Sequence, residues 1–399
     1  MKLLIVVSSL DLKQPFSATP AFWQLMKALY EIGVEVIATP YQGPAVESLW
    51  WRAQSNPAKL YGDVFKAGRD TLQRFLPQRQ VQMDDTTAPD DSNVESASDK
   101  ATRQLAQTLI APLWQRHLET ILSKQTDIDA VIFLTVPLNH LTGIPQYIQD
   151  KFNKPVIYFD GDVPASLPNM KGFASGFRIY QGADVSEYTA FISNSTGGED
   201  YLKQLGAREA HTVWYAADPA LYAPLDIMQD YDAFFFGHGR EYRSEWIDGM
   251  LIQASQQLPD AKFAVRGTKL GELGRVEQLP YLSFSKLREY VCRSKLNLVI
   301  TRGAHASVYG SSSMRPFELA AMRSVMVANP YKGIELWFEP DKEIVIVNSA
   351  EEAIDRYRHL LANDTERQRL AQAAYERFLK QHTFQHRAHD LKAIIQQYL

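Results

Sequence analysis

The sequence predicts an α/β protein built as two parallel-sheet domains with helices at its C-terminus. Short apolar runs rich in β-branched residues alternate with amphipathic stretches along the chain, the pattern of strand–helix–strand construction. Several runs, such as Val131-Ile132-Phe133-Leu134, are continuously apolar, as strands buried on both faces are. The alternation stops and restarts near residues 222–230, and 399 residues exceed what one hydrophobic core organises.

Strands are expected at Leu3–Val7, Val34–Thr39, Ala130–Val136, Pro155–Phe159, Ala190–Asn194 and His211–Tyr215. Between the first two, Ala21–Glu31 puts Phe22, Leu25, Met26 and Leu29 on one helical face and is closed by Gly33, completing a βαβ unit. Met83–Lys100 breaks the pattern. It holds five Asp, one Glu and five Ser or Thr with almost nothing apolar, which predicts a mobile surface loop. After Tyr222-Ala223-Pro224-Leu225 come strands at Ala233–Phe236, Lys262–Val265, Leu296–Ile300, Val325–Ala328 and Glu343–Val347. Helices are expected at Glu241–Gln257 and Pro316–Met322, and three more at Ala350–Ala362, Thr365–Gln381 and Gln385–Tyr398. The expected domains are residues 1–224, residues 225–384 and a closing helix, 385–399, that packs back on the first.

A net charge of −4 without a long basic run argues against nucleic-acid binding. The run Leu3-Leu4-Ile5-Val6-Val7 is too short for a signal peptide and suits a buried first strand. No segment reaches the roughly 18 apolar residues of a membrane span. The expectation is a cytoplasmic protein, with peripheral membrane contact left open. The lone Cys292 reads as a buried structural thiol.

Three constellations could carry chemistry. In Phe236-Gly237-His238-Gly239-Arg240-Glu241-Tyr242-Arg243 a strand runs into a glycine turn and then a helix. Glycines admit a close ligand, helix-start amides attract phosphate, and Arg240 and Arg243 offer bidentate cations; a tight turn with two surface arginines explains the same letters. In Ser311-Ser312-Ser313-Met314-Arg315-Pro316-Phe317-Glu318, serines precede a helix start. Arg315 and Glu318 could face a cleft, or Glu318 could complete a capping interaction. In Tyr158-Phe159-Asp160-Gly161-Asp162, two acids follow a buried strand, where open α/β sheets hold ligands; either could act as a general base, and an Asp-Gly turn is the alternative. His238 and His305 follow strand ends as further candidate contacts. No cluster of residues has metal-ligand spacing. Trp50 and Trp51, read as neighbours on a helix, could offer an aromatic platform to a sugar ring.

Together these pieces resemble the GT-B glycosyltransferases of group 1. The resemblance rests on Ile192-Ser193-Asn194-Ser195, on Leu205-Gly206-Ala207 and on the hinge Tyr215-Ala216-Ala217-Asp218-Pro219 with Tyr222 and Pro224. Arg315-Pro316-Phe317-Glu318 and His382-Thr383-Phe384-Gln385-His386-Arg387 are similar to motifs of the CgeB-like (spore-protein) subgroup. The likeness runs from about residue 189 to the end. It implies a GT-B fold, two Rossmann-like domains facing a cleft, the donor on the C-terminal side and the acceptor on the N-terminal side. It implies a UDP-sugar or GDP-sugar donor as co-substrate, an unspecified hydroxyl acceptor (glycan, lipid or small molecule) and no required cofactor or metal. By motif position, Gly237, His238, Gly239, Arg240, Arg243 and Arg315 would meet the diphosphate, and Glu318 the ribose. Gly267, Thr268, Tyr281 and Leu282 would meet the base, and Ser312 and Ser313 the sugar or phosphate. Asp160 and Asp162 are the candidate bases of an inverting route. One departure is that Gly310 stands eight residues before Glu318, where retaining group 1 enzymes often carry glutamate. The alternatives are a sugar-nucleotide epimerase of the same architecture and a non-catalytic ligand-binding protein.

Overall fold

The computed structural model describes residues 1–13, 18–60, 97–168, 179–239, 243–280 and 284–399. They form two units, Met1–Val213 with Ala388–Leu399, and Trp214–Arg387. The acidic segment 83–100 lies outside the described residues as far as residue 96. Its last four residues are not a loop: they begin the helix Ala97–Leu109, because the good helix formers Ala101, Gln104, Leu105 and Ala106 follow them. Among the described residues no helix is long and apolar enough to cross a membrane.

The first unit is a seven-stranded parallel sheet. Its strands in chain order are β1 (Lys2–Ser9), β2 (Glu35–Gln42), β3 (Arg52–Ala53), β4 (Ala130–Leu134), β5 (Val156–Asp160), β6 (Ala190–Ser193) and β7 (Ala210–Thr212). Across the sheet they lie in the order β3-β2-β1-β4-β5-β6-β7, so the winding reverses between β1 and β4. Leu4, Val6, Val131, Phe133 and Tyr158 enter one core with Trp114 and Leu118, while the alternate residues Ile5, Ile132 and Ile157 are buried on the other face. Burial on both faces is why these strands read as continuous apolar runs. The tail joins this unit through the Tyr398 hydroxyl, 2.6 Å from His211 Nε2.

The second unit is a six-stranded parallel sheet of β8 (Tyr231–His238), β9 (Phe263–Thr268), β10 (Glu277–Leu279), β11 (Ser294–Val299), β12 (Val325–Ala328) and β13 (Val345–Ile346). Its order is β10-β9-β8-β11-β12-β13, with the reversal between β8 and β11. Phe234 and Phe236 enter one core and Ala233 and Phe235 the other, the period-2 alternation of a sheet covered on both sides. Strands β3 and β10 escape the sequence reading for one reason. They are edge strands of two and three residues, and Arg52, Glu277 and Gln278 are exposed, so they leave no apolar trace.

Two local features close the second unit. His382-Thr383-Phe384 ties its end to its beginning: Phe384 N donates to Ala217 O at 3.2 Å and Arg387 Nε to Tyr215 O at 3.3 Å. Arg387 Nη2 also donates to His382 Nδ1 at 2.8 Å, which leaves Nε2 as the His382 nitrogen that donates to Trp337 O at 3.1 Å. Burial, then the nearby Arg387, pushes the His382 pKa down to about 3, so the imidazole stays neutral in this arrangement. The second feature is the register pair Gly237–Gly267 between β8 and β9. A Cβ added at Gly267 would fall 2.0 Å from Gly237 O.

That contact generates a stability prediction. Gly267→Ala separates the carboxyl ends of β8 and β9 and should destabilise the protein by about 3 kcal/mol or more, the upper range for overpacking. Urea denaturation checks it, and unchanged unfolding would show that the two strands yield easily there.

Candidate functional site

The reversal between β8 and β11 is the topological switch point of the second sheet, and the carboxyl ends of its strands are the place where open α/β folds bind ligands. Gly237 and His238 turn out to belong to β8 itself rather than to a turn, because their register pairing with Gly267 and Thr268 continues the ladder. Gly239 follows the strand, with a φ of +73° that suits glycine. Gly239 N donates to Thr268 O at 2.9 Å, and His238 Nδ1 lies 2.5 Å from Thr268 Oγ1. Gly237, His238, Gly239, Gly267 and Thr268 are therefore one patch.

Arg243 is buried at this end. It donates from Nη1 to Ile300 O at 3.1 Å and from Nη2 to His238 O at 2.8 Å, bracing β8 against the residue that follows β11. Arg315 reaches the same carbonyl from the other side, with Nη1 at 3.4 Å from Ile300 O. Its guanidinium lies over Phe235 and Phe236, 5.0 and 4.7 Å from their ring centroids. Burial, with the Arg302 charge assisting, brings its pKa down to about 10, while Glu318 opposes the fall; Arg315 stays cationic at neutral pH.

Glu318 lies in the helix Met314–Ala321, with Ser313 as its N-cap residue in extended conformation. The capping alternative does not hold. Ser313 makes no side-chain cap bond, and Glu318 is a full turn into the helix, where its Oε1 accepts from Tyr222 Oη at 2.5 Å. Burial raises the Glu318 pKa, against the Tyr222 bond and the charge of Arg315. Ser312 is occupied by Tyr215 N, 2.9 Å from its Oγ, and Tyr331 Oη donates to Ser311 O. The close packing of Gly310 on Gly333, where a Cβ would meet Gly310 N at 2.3 Å, holds this loop against the next. Arg240, Tyr281 and Leu282 lie outside the described residues.

Sequence reasoning did not assign roles to Tyr222, Arg302 or Asn329. Asn329 Oδ1 accepts from Thr301 N at 2.7 Å and its Nδ2 donates to Thr301 O at 3.3 Å, clamping the chain just before Arg302. An Asn at the last residue of an apolar run was the available signal; the partner, 28 positions away, was not.

In the first unit Asp160 ends β5 and is fully enclosed. Its Oδ2 accepts from Ser166 Oγ at 2.5 Å and Tyr180 Oη at 2.6 Å, and its Oδ1 from Asp162 N at 2.9 Å. Burial outweighs these bonds and pushes its pKa up to about 6. The Asp-Gly turn and the strand-end acid are thus both present, since the Asp160 side chain shapes the turn that presents the half-buried Asp162. Trp50 and Trp51 are not on a helix. Trp51 is buried beside Trp23, with its indole N–H on Val46 O at 2.8 Å, and precedes the edge strand β3. That main-chain bond and the short strand hold the segment, bent at Leu49 and Trp50, in a non-helical path.

Residues 243–393 match the family described as glycosyl transferase-like. No curated protein sequence matches the chain. Similar solved structures include sucrose-phosphate synthase from Thermosynechococcus elongatus, with a TM-score of 0.63 at 14% identity over 99% of this chain and 98% of that one. Anabaena HepE in complex with UDP-glucose has a TM-score of 0.61 at 12% identity over 100% of both chains. A glycosyltransferase from Rickettsia africae has a TM-score of 0.60 at 9% identity over 100% of this chain and 98% of that one. The fold is that of the GT-B proteins, with two Rossmann-like, parallel-sheet units.

The Asp160 environment generates a pH prediction. Its folded pKa of about 6 is above the ordinary unfolded value, so the ionised form is the disfavoured one in the fold. The protein loses stability as pH rises through this window, by about 2 kcal/mol from this group between pH 4 and 7. Asp160→Asn removes the titration. Unfolding free energies at pH 4 and 7 should therefore favour the variant, relative to the native chain, by about that amount more at pH 7. Parallel pH profiles would show that Asp160 is not enclosed as described.

Proposed function

We propose that this protein is a glycosyltransferase that moves a hexose from a UDP-sugar to a hydroxyl acceptor. The observation that carries the reading is the meeting of Arg315 and Glu318 at the β8–β11 reversal, beside the open glycine end of β8. A cation and a carboxylate there complement the two ends of a nucleoside diphosphate: Arg315 faces the phosphates, and Glu318 accepts from ribose hydroxyls. The glycosyl transferase-like match spans both residues, and a structural neighbour was solved with UDP-glucose.

In this reading Gly239 and the start of the helix Met314–Ala321 turn amides toward the phosphates, with Arg240 as a second cation. Arg243, committed to Ile300 and His238, positions the strand ends, and Ser312 holds the loop that Ser313 presents. Gly267, Thr268, Tyr281 and Leu282 receive the base. The likeness to CgeB-like enzymes belongs to this proposal, carried by Arg315-Pro316-Phe317-Glu318 and the His382–Arg387 motif.

Transfer forms a bond between the acceptor oxygen and the anomeric carbon as the bond from that carbon to the β-phosphate oxygen breaks. The electron pair leaves with UDP, whose growing charge Arg240, Arg315 and the helix-start amides stabilise, the electrostatic contribution that dominates such reactions. Those cations let the reaction proceed without a metal. The acceptor belongs to the first unit. On an inverting route Asp162 takes its proton, and the enclosed Asp160 positions the Asp162 turn.

Calorimetry with UDP, GDP, ADP and TDP tests the donor reading; UDP should bind most tightly, and no binding by any of the four would overturn it. Glu318→Gln keeps an acceptor for Tyr222 but loses the charge. It should weaken UDP about tenfold, or 1.4 kcal/mol, while leaving thermal unfolding nearly unchanged, and Arg240→Ala should weaken UDP similarly. Native affinity in both variants would rule out the site. Asp162→Asn should keep UDP affinity and lose transfer from UDP-glucose to a panel of glycan acceptors, read as UDP release. Full activity would remove Asp162 from the mechanism.

A further inference from the structure

Beyond the acids, the carboxyl end of the first sheet carries a second polar group, the partly buried His140. His140 ends the short helical turn Leu138–His140 that follows β4, next to β5 and its Asp160–Asp162 turn. The chain at 179–181 joins the two loops. Tyr180 donates to Asp160, Asn139 N donates to Ile179 O at 3.2 Å, and Asn139 Nδ2 donates to Gln181 O at 3.1 Å. The position of His140 is therefore tied to that of Asp162 through one segment.

The imidazole is oriented from below by Tyr41, near the end of β2, whose hydroxyl lies 2.8 Å from His140 Nδ1. The Tyr41 ring is itself held, stacked on the buried Trp114 at 5.7 Å and 21°. Burial keeps the Tyr41 hydroxyl protonated, and its O–H finds no acceptor but Nδ1 among the described residues. Donation to Nδ1 leaves the proton of a neutral imidazole on Nε2. His140 Nε2 makes no hydrogen bond among the described residues, where Arg103 is the charged group near the ring, and the side chain keeps partial exposure. A neutral ring fixed by one nitrogen, with an N–H donor left at the ligand-binding end of a parallel sheet, is built to meet an oxygen atom of a ligand.

We infer that His140 is an acceptor-binding residue: its Nε2–H hydrogen-bonds a hydroxyl oxygen of a sugar-like acceptor, and Tyr41 is the positioning residue that fixes the tautomer. The inference rests on the reading that the first unit takes the acceptor.

Nitrogen-15 NMR of histidine-labelled, UDP-saturated protein, with D-glucose as the probe, tests it. The native chain should show His140 as the Nε2–H tautomer, and glucose should shift that resonance. Tyr41→Phe keeps the ring on Trp114 but loses the hydroxyl; it should weaken glucose about three- to tenfold. His140→Ala should weaken it at least tenfold, His140→Gln should restore part of the affinity by returning an N–H, and UDP affinity should be unchanged in all three. An Nδ1–H tautomer in the native chain, or a His140 resonance that glucose leaves unmoved, would overturn the proposal. Failure of UDP to bind, with the glucose shift intact, would instead strike the donor reading and leave His140 standing.

Discussion

The geometry of the second unit depends on one main-chain oxygen. Ile300 O, the first carbonyl beyond β11, accepts from Arg243 on one side and Arg315 on the other. Two guanidinium groups are thereby drawn to the point where the sheet reverses direction. Charged groups so near each other and so removed from water are costly unless something offsets them. Here the offsets are the carbonyls of Ile300 and His238, the faces of Phe235 and Phe236, and the carboxylate of Glu318. An anion at the strand ends would offset the remainder, which is why the proposed donor site is placed there.

The division of labour among the arginines follows from the same constraint. Arg243 spends both terminal nitrogens on the backbone and braces β8, while Arg315 makes a longer bond and keeps its charge beside Glu318. Glu318 is in turn set by Tyr222, from a segment 96 residues earlier in the chain. The C-terminal motif His382–Arg387 belongs to this support. Through Phe384 N, Arg387 and the His382 tautomer it anchors the Tyr215–Ala217 stretch from which the chain runs on to Tyr222. A motif far from the reversal thus maintains a residue beside it.

The first unit uses strand ends differently. Asp160 is enclosed and acts on the backbone, making a rigid turn of the Asp-Gly-Asp sequence. Ser166, Tyr180 and the 179–181 segment connect that turn to the loop after β4, so Asp162 and His140 rest on a common framework. Loops at the carboxyl ends of parallel strands gain their precision in this way, from main-chain and buried polar bonds rather than from regular structure.

Much of this was legible in the residues. The strands buried on both faces, the βα alternation, its restart in the second half and the helix carrying Glu318 all follow from periodicity and position, because those properties are local; that this helix starts early enough to include Arg315 did not. The edge strands β3 and β10 were not legible, since short exposed strands carry no apolar signature. The non-helical Trp50–Trp51 segment was misread for a related reason: the bond of Trp51 to Val46 O belongs to its fold, and no local pattern records that bond.

The sequence by itself determined the fold class, the central strands and the types of charge available near their ends. Only the tertiary structure decided which of those charges are committed to the backbone and which are not. Asp160 and Asp162, or Arg243 and Arg315, are equivalent as letters. They part company because hydrogen-bond partners such as Tyr180, Ile300 and His238 come from other strands and loops, and burial is a property of that assembly rather than of any single segment.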